Sequence, residues 1–263
     1  MAQPVGPTIR ETLLHAIKAN EPQGSYDHKP NLQQVAVLET AGRSLGIRQN
    51  PELEQALLTE WQDLFRTGLL AWGLNLSNPN PPFFHLTERG RRTLANATRD
   101  PSNPAGYMRH LASVATLDPI AMSYLTEGLD CYVNGLFKAS AVMVGCAAES
   151  VILTLRDSTV QKLMTLGKTV PTSMSDWKIK TVSDALRTFF EGYSRNFSRE
   201  LRGPFEAYWA AFAQQIRATR NDAGHPASVD PVTPDTVHAS LLIFPELARL
   251  ANGLSGWVST DLV

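Results

Sequence analysis

The sequence predicts a mainly α-helical protein in two parts, and three observations carry that reading. Apolar residues recur at helical spacing along most of the chain. The two strand-like runs, 69–74 and 83–86, are short and close together. A turn-rich stretch at 98–106 (TRDPSNPAG) separates a part that contains strands from one that reads as helix throughout. The expected organisation is a small α/β domain over 1–97, a linker over 98–117, and an all-α bundle over 118–263. With 263 residues, 43% of them apolar, the chain can bury a sizeable core. Its 24 basic and 25 acidic side chains exclude a polycationic coat held to nucleic acid by bulk charge. They equally exclude an acidic disordered chain.

In the first part, Ile9, Leu13, Ala16 and Ile17 share one face of a helix over 8–19. A second helix is expected over 32–45. Pro51 sits in the first turn of a third, which runs to about residue 67 and turns Leu53, Leu57, Leu58, Trp61, Leu64 and Phe65 inward. Gly68 stops it. The two apolar runs then form a hairpin whose wide tip is NLSNPNPP, and Thr87 caps a closing helix through Arg91 and Leu94.

Three helices, a strand, a long tip, a second strand and a last helix opening Thr-Glu-Arg-Gly resemble a winged helix-turn-helix domain over 8–97. The residues that carry the likeness are LFRTGLLAWG…PFFHLTERGRRTL. Winged helices often read DNA through a helix in the major groove. Here the third helix carries Glu52, Glu54, Glu60 and Asp63 against Arg66 alone, which disfavours contact with phosphates. Arg89, Arg91, Arg92 and Arg99 with His85 form either a backbone contact or a solvated face. Protein docking or dimerisation is the preferred role of this half.

The second part opens with Asp118 and Pro119 as cap and first turn of a helix striped by Leu125, Leu129, Tyr132 and Leu136. Gly135 lets the chain turn. The next helix is apolar on every side over 139–148 and must be central to its bundle. Glu149 interrupts that apolar run. Either a cation or several donors meet it, or the helix turns it to a wet edge. Turns follow around 167–175. Helices resume at about 175–199 and 204–223, the latter with Pro204 in its first turn and Phe205, Tyr208, Trp209, Phe212 and Ile216 inward. Gly224 and Pro226 end it, and a last helix covers about 234–257.

Arg220-Asn221-x3-His225 at that helix end, after the helical pair YLTEGLDCYVNGLFKASAVMVGCAAES, resembles the HEPN family of helical bundles. The likeness covers roughly 119–257. It implies a metal-independent endoribonuclease that works as a homodimer, both Arg-x4-His motifs lining one composite cleft against RNA. On that reading His225 exchanges protons with the ribose 2′-hydroxyl or the leaving 5′-oxygen. Arg220 meets the phosphate, and Asn221 binds substrate or holds the motif. Arg217 touches phosphate or solvent, and Glu149 neutralises Arg217 or orients Arg220. No cofactor and no metal are implied, and the sequence has no metal-ligand spacing of histidines or carboxylates. The family also contains antiphage-defence and toxin effectors, some silenced or activated by a protein partner, and bundles that bind a nucleotide or a partner without cleaving.

Cys131 and Cys146 on apolar helical stretches read as small buried hydrophobes in a reducing cytoplasm. The opening MAQPVGPTIR lacks a signal-peptide pattern, and no uncharged apolar run reaches the roughly 18 residues of a membrane span. Gly167-Lys168-Thr169 imitates the end of a phosphate-binding loop, but Lys162 stands where its first glycine belongs.

Overall fold

Thr8 shows how local chemistry starts this fold. Its hydroxyl accepts from Glu11 N at the head of α1 (Ile9–Asn20), while the Glu11 carboxylate accepts from Thr8 N at 2.9 Å, a complete capping box. The computed structural model describes residues 8–21, 32–209 and 232–263. It divides into two units, Met1–Arg109 and His110–Val263, and is mainly helical with a single two-stranded sheet among the described residues.

The first unit continues with α2 (Gln34–Leu45), α3 (Pro51–Arg66), β1 (Leu70–Trp72), β2 (Phe84–Leu86) and α4 (Glu88–Ala95). Pro51 fills the first turn of α3 as expected, and Asn50, which the sequence reading did not single out, caps it. The strands pair antiparallel with Leu70 opposite Leu86 and Trp72 opposite Phe84. A further bridge joins Gln33 to Phe83, so the residues before α2 lie along the outer edge of β2. Leu13, Ile17, Val37, Leu57, Trp61, Leu64 and Phe84 form the core between helices and sheet. Trp61 meets Phe84 edge-on at 5.0 Å, and Phe65 stacks on Trp72 at 4.1 Å. Leu58, expected inward, is 43% exposed; α3 buries only the Leu57–Trp61–Leu64 stripe, and Leu53 and Phe65 are half-buried.

The junction FHLT-x-x-G has a direct steric reason. Thr87 caps α4 by accepting from Gly90 N, its hydroxyl donates to Gly68 O at 2.7 Å, and Thr87 N donates to Leu69 O. A Cβ on Gly90 would lie 2.2 Å from that same Leu69 carbonyl oxygen. Glycine is therefore the residue that lets α4 seat on the end of α3.

The stretch expected to link the two parts is structured. Asp100, Ser102 and Asn103 are at most 4% exposed, and each has a hydrogen-bond partner: Ser102 N donates to Asp100 Oδ1 at 2.7 Å, and Asn103 Nδ2 to Ala97 O at 2.6 Å. Arg10 donates to Ser102 O and pairs with Glu60 at 2.7 Å. Helix α5 (Pro104–Val114) follows, with Tyr107 and Leu111 buried, and the division between units falls within it. The prolines and glycine mark a packed turn and a helix start.

In the second unit, Asp118 caps α6 (Pro119–Val133) and Gly135, at φ 77°, makes the turn into α7 (Phe137–Thr165). The two helices approach closely at Gly128, where a Cβ would stand 3.1 Å from Val144 Cγ2, and Ser140 Oγ donates to Gly128 O at 2.7 Å. As expected, α7 is central: α6 packs on one side and α10 (Pro234–Thr260) on another. Its composition also suits a bilayer crossing, but half of its most apolar stretch is buried inside this unit. Leu136, placed on the α6 stripe by its spacing, is 58% exposed because it lies past the helix end.

Helices α8 (Ile179–Tyr193) and α9 (described over 199–209) depart from expectation in their bounds. The run 175–199 is broken: a 3-10 turn at Thr172–Ser175 precedes α8 and another at Ser194–Asn196 follows it. The next helix begins at 199, ahead of Pro204, because Ser198 starts it: its carbonyl accepts from Leu201 N and Arg202 N. Phe205 and Trp209 face inward as expected, joining Phe190, Phe197 and Trp257 in an aromatic cluster, whereas Tyr208 is 51% exposed. Phe212 and Ile216 lie outside the described residues.

Candidate functional site

Arg217, Arg220, Asn221 and His225 lie outside the described residues, so the structure bears on their setting only through what flanks them. On the N-terminal side, α9 is anchored by Phe205 and Trp209, which are 3% and 2% exposed. On the C-terminal side, Thr233 caps α10 by accepting from Thr236 N at 3.2 Å, and Pro234 fills the first turn. One turn further on, His238 Nδ1 stands 3.0 Å from the Tyr132 hydroxyl, fastening the start of α10 to the end of α6. The described chain on either side of the motif is thus held by α9 and α10.

Glu149 lies on α7 between buried Ala148 and Ser150 and is half-buried itself. It is not without a partner. One turn along, Ser150 and Thr154 donate to Asp118, at 3.0 and 3.1 Å. Partial burial pushes the Asp118 carboxyl upward, but hydrogen bonds from Ala121 N, Ser150, Thr154 and Ile120 N outweigh it and hold the pKa below the usual value. Asp118 thus locks α6 to α7 as a carboxylate. The sequence marked it only as a helix cap.

Cys131 and Cys146 are both free thiols and half-buried, less enclosed than their apolar neighbours suggest. Burial, with Glu127 and Asp130 nearby, pushes the Cys131 thiol pKa up, which suits an unreactive side chain. Among the described residues, no group of three histidine, cysteine or carboxylate side chains is placed to hold a metal ion.

The arginine cluster of the first unit separates into different tasks. Arg89 donates to Thr67 O at 3.0 Å and to Ser102 Oγ at 3.2 Å. Arg91 donates to Leu86 O at 2.9 Å and pairs with Glu88. The His85 ring contacts Gly73 O. These three brace the hairpin and α4. Arg99 instead lines a groove with His15 and Lys18, two residues that spacing alone did not single out. On α3, Glu52 and Glu54 are exposed and Arg66 is paired with Asp63 at 2.8 Å, so the acidic character read from the sequence is a surface property.

In the second unit, a cleft of about 760 Å³ lies between residues 196–204 and α10, floored by Phe197, Leu250 and Trp257. Its rim charges are occupied in part: Arg249 pairs with Glu246 at 2.7 Å, and hydrogen bonds from its own backbone and Ser198 lower the Glu200 pKa. No protein-family profile, curated protein or solved structure matches the chain.

Proposed function

We propose that this chain is a HEPN-type, metal-independent endoribonuclease that acts as a homodimer, with a winged-helix-like N-terminal unit that docks protein. The observation that carries the proposal is Arg220-Asn221-x3-His225 with its Gly224 and Pro226 break, lying in sequence between two helices of a unit that is helical, with no strand, among its described residues and is built on a long central helix. Two further features support it. The close pairing of α6, α7 and α10 is compatible with a HEPN-like helical bundle, and the antiparallel β1–β2 hairpin between α3 and α4 with a winged-helix-like unit.

The chemistry follows from residue type. One imidazole takes the proton from a ribose 2′-hydroxyl, whose oxygen then bonds to the adjacent phosphorus. The bond from phosphorus to the 5′-oxygen breaks, and the second protomer's imidazolium supplies the proton that leaving oxygen needs. The products are a 2′,3′-cyclic phosphate and a 5′-hydroxyl. Arg220 presents forked donors to the non-bridging oxygens, where negative charge grows in the transition state. Asn221 holds the substrate or the helix end. Arg217 contacts phosphate, and Glu149 on α7 balances the arginines.

Purified protein incubated with RNA in EDTA tests this directly, beside His225→Ala and Arg220→Ala. Cleavage that survives chelation and is lost in both variants is the expected result. Equal cleavage by all three proteins is a contaminating nuclease and removes the proposal. Tight RNA or nucleotide binding without cleavage, at any protein concentration that gives a dimer, replaces it with a non-catalytic binding bundle.

A further inference from the structure

His15 and Lys18 are three residues apart on α1, so their side chains leave the same helix face. The end of α4 and the turn after it bring Arg99 to them. Together with residues 94–98 the three line a groove of about 480 Å³, within the range of a small-ligand site. All three side chains are exposed, and among the described residues no carboxylate lines the groove. Among the described residues none of the three makes an ion pair or a side-chain hydrogen bond.

Two carboxylates close by in sequence, Glu11 and Asp100, are committed elsewhere. Glu11 is 5% exposed, accepts from Thr8 and pairs with Arg109. Asp100 is 4% exposed and accepts from Ser102 N. No ion pair joins Lys18 to Glu21. Carbonyls at the ends of α1 and α4 also attract cations, but several are already taken. Asn96 O accepts from Arg99 N and Asp100 N, Ala97 O from Asn103 Nδ2, Lys18 O from Glu21 N, and Ala16 O from Asn20 Nδ2. Among the described residues, the positive charge gathered here has no internal partner. In a chain of net charge −1 it is a local feature and not a share of a general excess.

We propose that the groove formed by His15, Lys18 and Arg99 is a binding site for a phosphate-bearing ligand. Arg99 supplies a planar fork that fits two phosphate oxygens, Lys18 a mobile point charge, and His15 a ring N–H. The same chemistry serves the backbone of a nucleic-acid strand or the phosphates of a free nucleotide. The site lies wholly in the first unit, and its existence does not depend on the nuclease reading.

Fluorescence anisotropy of a labelled single-stranded DNA on the full-length protein tests the first source, since a strand without 2′-hydroxyls cannot be cut by the proposed chemistry. Titration with ATP tests the second. Lys18→Gln/Arg99→Gln is compared with Arg43→Gln/Arg48→Gln, an exposed pair on the same unit with the same charge change. The groove variant is expected to bind about tenfold more weakly. For the strand, two lost contacts at about 0.7 each should reduce the slope of log K against log salt by about 1.4. Selective loss with DNA makes the groove a backbone contact; selective loss with ATP alone makes it a site for a free phosphorylated ligand. Equal weakening in both double variants, or none in either for both ligands, overturns the proposal. Unchanged melting of the groove variant excludes loss of fold as the cause.

Discussion

Gly90→Ala turns the junction between sheet and α4 into a measurement. The added methyl would lie 2.2 Å from Leu69 O and 3.1 Å from Leu69 C. Ordinary carbon–oxygen contacts are about 3.3–3.6 Å, so α4 must retreat by roughly 1 Å. Leu69 O is also where Thr87 N donates, at 3.1 Å. A retreat weakens that bond, at about 1 kcal/mol. Overpacking against rigid backbone adds roughly 2 kcal/mol. The better helix propensity of alanine returns about 1 kcal/mol. The net destabilisation is about 2 kcal/mol, a fall of roughly 8–16 °C in the melting temperature of a unit this size. Gly42→Ala, where the new methyl meets Ile47 Cδ1 at an ordinary 3.7 Å within α2, is the control and should be neutral or stabilising by up to about 1 kcal/mol. Chemical denaturation of both variants, with hydrogen exchange of α1 and α3 amides to locate the effect, reads the difference. Gly90→Ala melting within about 1 kcal/mol of the parent would refute the steric argument.

Gly128→Val should destabilise the second unit by about 1–3 kcal/mol through overpacking against Val144 and Met143, read as a lower urea midpoint, with Ser140→Ala milder at about 1 kcal/mol. Asp118 has a lowered folded pKa, so its contribution to stability is complete above the unfolded carboxyl value and fades as pH falls through the folded one; Asp118→Asn should flatten that acid limb in a pH series of unfolding midpoints. The Cys131 thiol, with a raised pKa and partial burial, should react with iodoacetamide at pH 8 more slowly than a free cysteine, as mass spectrometry of the labelled chain can show.

Much of the architecture was legible because capping and periodicity are local. Thr87 and Asp118 cap helices in the structure as the sequence predicts, and Pro51 and Pro119 fill the first turns expected of them. The central position of α7 follows from its apolar circumference alone. What the sequence misplaced depends on contacts distant along the chain. The 98–103 stretch reads as a joint, but Arg10 and Arg89 bind Ser102 and make it a packed turn. Leu58 and Tyr208 fit an apolar period, yet they are 43% and 51% exposed. Ser198 opens α9 ahead of Pro204, a weaker signal than the proline that follows it. Of the candidate site, only Glu149 falls within the described residues, and its half-buried place on α7 suits either of its two readings. The His15–Lys18–Arg99 groove was invisible because its third member arrives from about 80 residues away in sequence, a separation no local pattern reports.

The chemical identity of the cut ends tests the nuclease account most directly. Mass spectrometry of a short RNA digested in EDTA should find a 2′,3′-cyclic phosphate on one fragment and a 5′-hydroxyl on the other. A single 2′-deoxy substitution at the scissile nucleotide should abolish cleavage there, and His225→Ala should yield neither fragment. Fragments ending in a 3′-hydroxyl and a 5′-phosphate, or cleavage unaffected by the 2′-deoxy substitution, contradict attack by the neighbouring hydroxyl and with it the role given to His225.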